Sequence, residues 1–243
     1  MRKIFIILML SVFSIVTAHP FKSEKELYEY YAEIDKKIFT EKNKPIIRKK
    51  YPRKLTDKEL EQEQIPFSLK RYTVNEIVGN NKLVYNAFNY QLMSISQINK
   101  NNKEEGVIRT FDEDENLISI AYIENSKGVM GIYREYYPWG VLKNETPYYT
   151  SEINGKLKNY YPDGLLKEEY TYYNNKKEGL ATMYYESGQK FAIENYKNDL
   201  KNGDYYMYYE NGNLGMKAFF VNGKREGTIE FYEEDGKKIE KNK

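Results

Sequence analysis

Short runs rich in tyrosine and aliphatic residues, each closed by a glycine or an asparagine pair, fill the chain from about residue 79 to its end. The runs recur at a fixed spacing. Gly131, Gly155, Gly179, Gly203 and Gly227 stand 24 residues apart, and a second glycine follows each by nine residues: Gly140, Gly164, Gly188, Gly212 and Gly236. Five residues after each first glycine is a tyrosine: Tyr136, Tyr160, Tyr184, Tyr208 and Tyr232. The next position is also tyrosine in four copies (Tyr137, Tyr161, Tyr185, Tyr209) and becomes Glu233 in the last. Aromatics return seventeen residues after the first glycine, at Tyr148, Tyr172, Tyr196 and Phe220. Self-similarity at such a period is the mark of a stacked repeat.

Turn chemistry gives the unit its shape. One connection reads PDG, ESG, ENG or EDG, where glycine supplies a positive φ. The other reads Asn174-Asn175, Asn198-Asp199 or Asn222-Gly223, pairs that favour the type I′ hairpin turn. Between the turns there is room for two strands of about six residues. The predicted fold is mainly β, an elongated antiparallel sheet of stacked hairpin repeats of about 24 residues, with a short helical N-terminal segment. Successive side chains on a strand point to opposite sides. The fifth-position tyrosines are therefore expected on a packed face with Leu142, Leu166, Leu214 and the position-seventeen aromatics. The sixth-position tyrosines would form a ladder on the other face.

Upstream the pattern weakens. Residues 106–128 keep the opening glycine, Phe111 and Leu117 but lose the turn glycine, and residues 79–106 are a fainter copy. The array is thus read as 76–243, degenerate over 79–130 and regular over 131–243. The unit G-x4-YY-x2-G-x-L-x5-Y-x-N-G-K resembles the bacterial MORN-repeat-variant family, whose members are often labelled antitoxin-like. That resemblance implies a hairpin stack used for contact with proteins or membranes, with no shared reaction.

Residues 19–75 differ in composition. Ser23 and Glu26 have capping-box spacing, and Leu27, Tyr31, Ile34 and Ile38 recur at helical intervals, which predicts a helix from about Glu24 to Phe39. Thr56 and Glu59 repeat the spacing and predict a second, short helix. Between them Lys42, Lys44, Arg48, Lys49, Lys50, Arg53 and Lys54 form a basic run without an acidic residue. This run is either a solvated loop or a contact for anionic lipid or wall polymer. The first eighteen residues carry Arg2 and Lys3, then an uncharged run from Ile4 to Val16 that is shorter than the roughly 20 residues a membrane span needs. They are read as a secretory signal peptide, residues 1–18, cut after Ala18, which places the protein in the periplasm, cell envelope or medium.

Charge and chemistry narrow the function. The chain has 38 Lys+Arg and 36 Asp+Glu, and losing Arg2 and Lys3 leaves the two balanced, which gives no footing for a nucleic-acid binder. There is no cysteine, and the single histidine is His19, so no disulfide framework and no usual nucleophile–base pair is present. Asp112–Asn116 resembles the start of a calcium loop, but Leu117 and Ile123 stand where glycine and glutamate are required, so it reads as a hairpin turn. No catalytic residue, cofactor or metal is expected. The 26 tyrosines are sheet-forming residues and also good contact residues. The expected function is an exported, non-catalytic module binding a protein or envelope component through Tyr137, Tyr161, Tyr185 and Tyr209, with Trp139 at the rim. The alternatives are a peripheral binder of membrane or anionic polymer using the basic run, and a glycan-active enzyme.

Overall fold

A computed structural model describes residues 21, 23–40, 73–86, 92–112, 114, 116–124 and 127–240. The segment read as a signal peptide, His19, the basic run Lys42–Lys54 and the stretch predicted as a second helix all lie outside the described residues. The repeats form one antiparallel sheet of 16 strands in simple hairpin order, from Thr73–Val78 to Lys224–Phe231. The first strand begins three residues ahead of the boundary read from the sequence.

One helix, Glu24–Thr40, lies on one face of the sheet. The Ser23 hydroxyl accepts a hydrogen bond from the Glu26 amide at 3.2 Å, the cap that the spacing predicts. Leu27, Tyr31, Ile34 and Ile38 are all buried, and Ile34 and Ile38 form a core with Val107, Ile120 and Met130 of the sheet. Polar contacts fix the helix in place. Arg134 makes a two-pronged contact with Asp35, at 2.9 and 2.7 Å, and its Nε donates to Glu145 at 3.1 Å. The Tyr31 hydroxyl donates to the Asn154 carbonyl at 2.7 Å, and the Tyr28 hydroxyl accepts from the Lys156 amide at 2.8 Å.

These phenols make the docked helix sensitive to alkali. Burial pushes Tyr28 and Tyr30 up from 10.0 to about 12, and Tyr31 rises further for the same reason. The folded state thus favours the neutral phenol. Its contribution is complete below the ordinary tyrosine value and is lost as pH rises from 10 through about 12. Urea midpoints should hold steady to pH 10 and then fall steeply over this window. A flat profile to pH 12 would mean the phenols are as solvated as in the unfolded chain.

The asparagine turns behave as predicted. Asn174 and Asn175 have φ of 46° and 66°, Asn198 and Asp199 50° and 67°, and Asn222 and Gly223 49° and 81°. One turn escaped the composition-based reading: Thr150 and Ser151 take the same left-handed geometry, with φ of 52° and 64°. A β-branched residue is poorly suited to that region. Thr150→Asn should therefore stabilise the chain by about 1 kcal/mol, read as a higher urea midpoint. Ser151 is best kept, because its hydroxyl accepts from the Val129 amide at 3.0 Å.

The face pattern needs one correction. Tyr136 pairs with Leu142, Tyr160 with Leu166 and Tyr208 with Leu214, as parity predicts. The next pairs are Glu135 with Asn144, Asn159 with Glu168, and Met207 with Met216, so one residue is extra on the return strand. This β-bulge falls at Lys143, Lys167, Phe191 and Gly215. It reverses the parity of everything beyond it. Tyr148, Tyr172, Tyr196 and Phe220 therefore lie on the face opposite the helix, not with the fifth-position tyrosines. The fifth-position rings are half-buried rather than fully enclosed.

Candidate binding surfaces

Three surfaces carry side chains that could meet a partner: the turn edge, the helix face and its opposite. The turn edge holds the sixth-position tyrosines, where each strand enters its glycine turn. Each hydroxyl donates to a backbone carbonyl of the next unit: Tyr137 to Tyr160 at 3.0 Å, Tyr161 to Tyr184 at 2.8 Å, Tyr185 to Tyr208 at 2.7 Å and Tyr209 to Tyr232 at 2.8 Å. Their rings are half-buried and also engaged. Trp139 stacks on Tyr137 with centroids 4.9 Å apart, Lys167 lies 5.7 Å from the Tyr161 centroid, and Phe191 meets Tyr185 edge-on at 5.1 Å. Gly215 lets Tyr209 close in, since a Cβ there would come within 3.0 Å of the ring. The bulge residue is thus what faces each of the last three rungs. The tyrosines join unit to unit, and their polar tips are already used.

Trp139 remains exposed at 60% even with its Nε1 donating to the Pro162 carbonyl at 3.1 Å. Leu165, at the next turn, is also exposed. The basic residues Lys42, Lys44, Arg48, Lys49, Lys50, Arg53 and Lys54 lie outside the described residues. Asp112 accepts hydrogen bonds from the Asp114 and Asn116 amides at 3.0 and 2.8 Å, so its carboxylate closes a turn. Among the described residues no cluster of three metal-ligating side chains occurs, and no helix is long and apolar enough to cross a membrane.

On the helix face, cross-strand pairing runs as one row from Arg134 through Glu145, Lys158, Glu169, Thr182, Ile193, Tyr206 and Lys217. The helix packs on the Arg134 end. At the other end Leu180 is 50% exposed and Phe219 45%, and both flank half-buried Ile193 and Tyr206. The pairings Leu180–Asn195 and Asp204–Phe219 put the two exposed residues in one row, about 14 Å apart at three strand spacings. Nothing in the single-sequence pattern distinguished this end of the face, because which stretch the helix covers is decided by tertiary contacts.

The opposite face is lined by rings and carboxylates that satisfy one another. The Tyr170 hydroxyl donates to Glu168 at 3.1 Å, Tyr196 donates to Glu194 at 2.5 Å, and Lys201 holds Glu194 at 2.6 Å. Burial raises the Tyr170 and Tyr196 phenols, and the bonded carboxylates raise them further.

The geometry defines a hairpin-repeat scaffold, and comparison with known proteins shows what three of its units are similar to. Residues 153–175, 177–198 and 201–222 match the family described as MORN repeat variant, one match for each of three successive units. No curated protein matches the chain. Repeats of this class are often protein- or membrane-binding modules.

Proposed function

We propose that the chain is an exported bacterial repeat protein without catalytic activity, and that its array docks a protein or envelope component. The observation that carries this reading is the pair Leu180 and Phe219. These are large apolar side chains, half-exposed on the same sheet face that the helix buries further along. Large apolar side chains left half-exposed beside half-buried neighbours are the kind of anchor that interfaces draw on. The sixth-position tyrosines join the units that carry this surface, and Trp139 is a separate exposed contact residue on the turn edge.

Capture from envelope extracts tests the reading. The double variant Leu180→Ser with Phe219→Ser should lose at least about tenfold in captured partner, since each truncated anchor costs more than 1 kcal/mol. Its melting should change little, because neither residue is buried. Capture equal to wild type would remove this surface from consideration. Export is tested separately: Edman sequencing of the protein from its native host should begin near His19, and an intact Met1 on a cytoplasmic product would overturn it.

A further inference from the structure

Two ring pairs occupy the same place in units three periods apart. Tyr205 and Phe220 meet edge-on with centroids 6.0 Å apart and planes at 66°. Their counterparts 72 residues earlier, Tyr133 and Tyr148, meet at 6.4 Å and 72°. Both pairs lie on the face opposite the helix.

The downstream pair holds a cation. Lys201 Nζ lies 4.8 Å from the Tyr205 centroid and 5.6 Å from that of Phe220, an ammonium seated on two aromatic faces. The residue 72 positions before Lys201 is Val129, in the same backbone setting. The Ser151 amide donates to the Val129 carbonyl at 2.9 Å, as the Gly223 amide donates to that of Lys201 at 2.8 Å. Among the described residues no ammonium or guanidinium lies over Tyr133 or Tyr148. Each box has a carboxylate, from a different position: downstream Glu194 holds Lys201 at 2.6 Å, where the residue 72 positions earlier is Tyr122, and upstream Glu135 accepts the Tyr133 hydroxyl at 3.2 Å, where the matching residue is Met207. The upstream box therefore has the two rings and an anion of its own, and carries valine where the lysine belongs.

We propose that the Tyr133–Tyr148 box, with Glu135, binds the alkylammonium group of a lysine side chain presented by a partner protein. Lys201 in the twin box is the internal example of that ligand, seated on the same two ring positions and held there by Glu194. Both rings are half-buried, so neither is sealed inside the sheet. The box serves as one subsite of a docking surface, so this inference rests on the binding-module reading. Its own test needs no partner.

The test is a titration of the full chain, with tyrosine ring carbons labelled, with n-butylammonium chloride, a lysine side chain without its backbone. Sodium chloride at equal ionic strength is the control. Saturable shifts are expected at the Tyr133 and Tyr148 rings. Glu135→Gln should weaken them at least threefold. Val129→Lys should abolish them by filling the box from within, and Lys201→Val should create a second saturable response at Tyr205. No response beyond the salt control, or an unchanged response in Val129→Lys, would overturn the proposal. Should Val129→Lys fail to fold, Lys201→Val decides alone: no new response at Tyr205 counts against it. Tighter binding of tetramethylammonium than of n-butylammonium would overturn the assignment to lysine. An intact titration alongside failed capture from extracts would leave the box standing and defeat only the module reading.

Discussion

Exchanging Arg134 for alanine is expected to release the helix from the sheet at a cost of about 3–5 kcal/mol, the range for removing one partner of a buried ion pair. The Arg134 side chain is only 11% exposed and bridges two carboxylates, Asp35 of the helix and Glu145 of the sheet. Without it both anions are left on a half-dry surface. Glu145 then keeps only the Tyr160 hydroxyl, at 2.9 Å, among the contacts described for it. The helix would lose the ionic anchor that Asp35 gives it beside buried Ile34. Hydrogen exchange should show the loss first in residues 24–40, while the regular units stay protected, because contacts in a hairpin stack are made mainly between neighbours. Arg134→Met, which keeps the apolar stem, should cost less than alanine. Equal protection of the helix in wild type and Arg134→Ala would show that apolar packing alone holds it.

Gly131→Ala should come next, at about 2–4 kcal/mol. Two effects add there. The residue has φ of +79°, where an L side chain costs about 1–2 kcal/mol. The new methyl would also stand 2.6 Å from Ile34 Cγ2, a buried atom with little room to retreat. Gly140→Ala separates the two effects. Its φ is +85° and open space surrounds it, so it carries the backbone cost alone. Urea melts of the two variants should differ by the packing contribution. Matching losses would mean that Ile34 moves aside freely.

Much of this architecture is legible in the residues. The period of 24 and the asparagine pairs define hairpins, and the paired strands follow them. Ser23, Leu27, Tyr31, Ile34 and Ile38 mark both the start and the inward stripe of the helix. The facing of side chains was only half legible. Lys143, Lys167, Phe191 and Gly215 share one position of the period but no chemistry, so nothing in them signals a bulge, and a single extra residue moves Tyr148, Tyr172, Tyr196 and Phe220 to the other side. The sixth-position ladder was legible as a regular series and illegible as a set of hydrogen bonds. Each hydroxyl reaches a carbonyl 23 residues on, a contact set by how units stack. Arg134 and Asp35 lie 99 residues apart, beyond any local pattern.

The uncovered end of the helix face follows from the same facts. The helix is 17 residues long and ends its packing well before the last units, so Leu180 and Phe219 meet solvent while Ile120 and Met130 do not. Site-specific photo-crosslinking in the native host tests this most directly. A benzophenone side chain placed at Leu180 or Phe219 should yield a discrete adduct on irradiation, and one placed at Arg225, exposed on the opposite face, should not. Adducts from Arg225 with none from Leu180 or Phe219 would contradict the docking surface proposed for this protein.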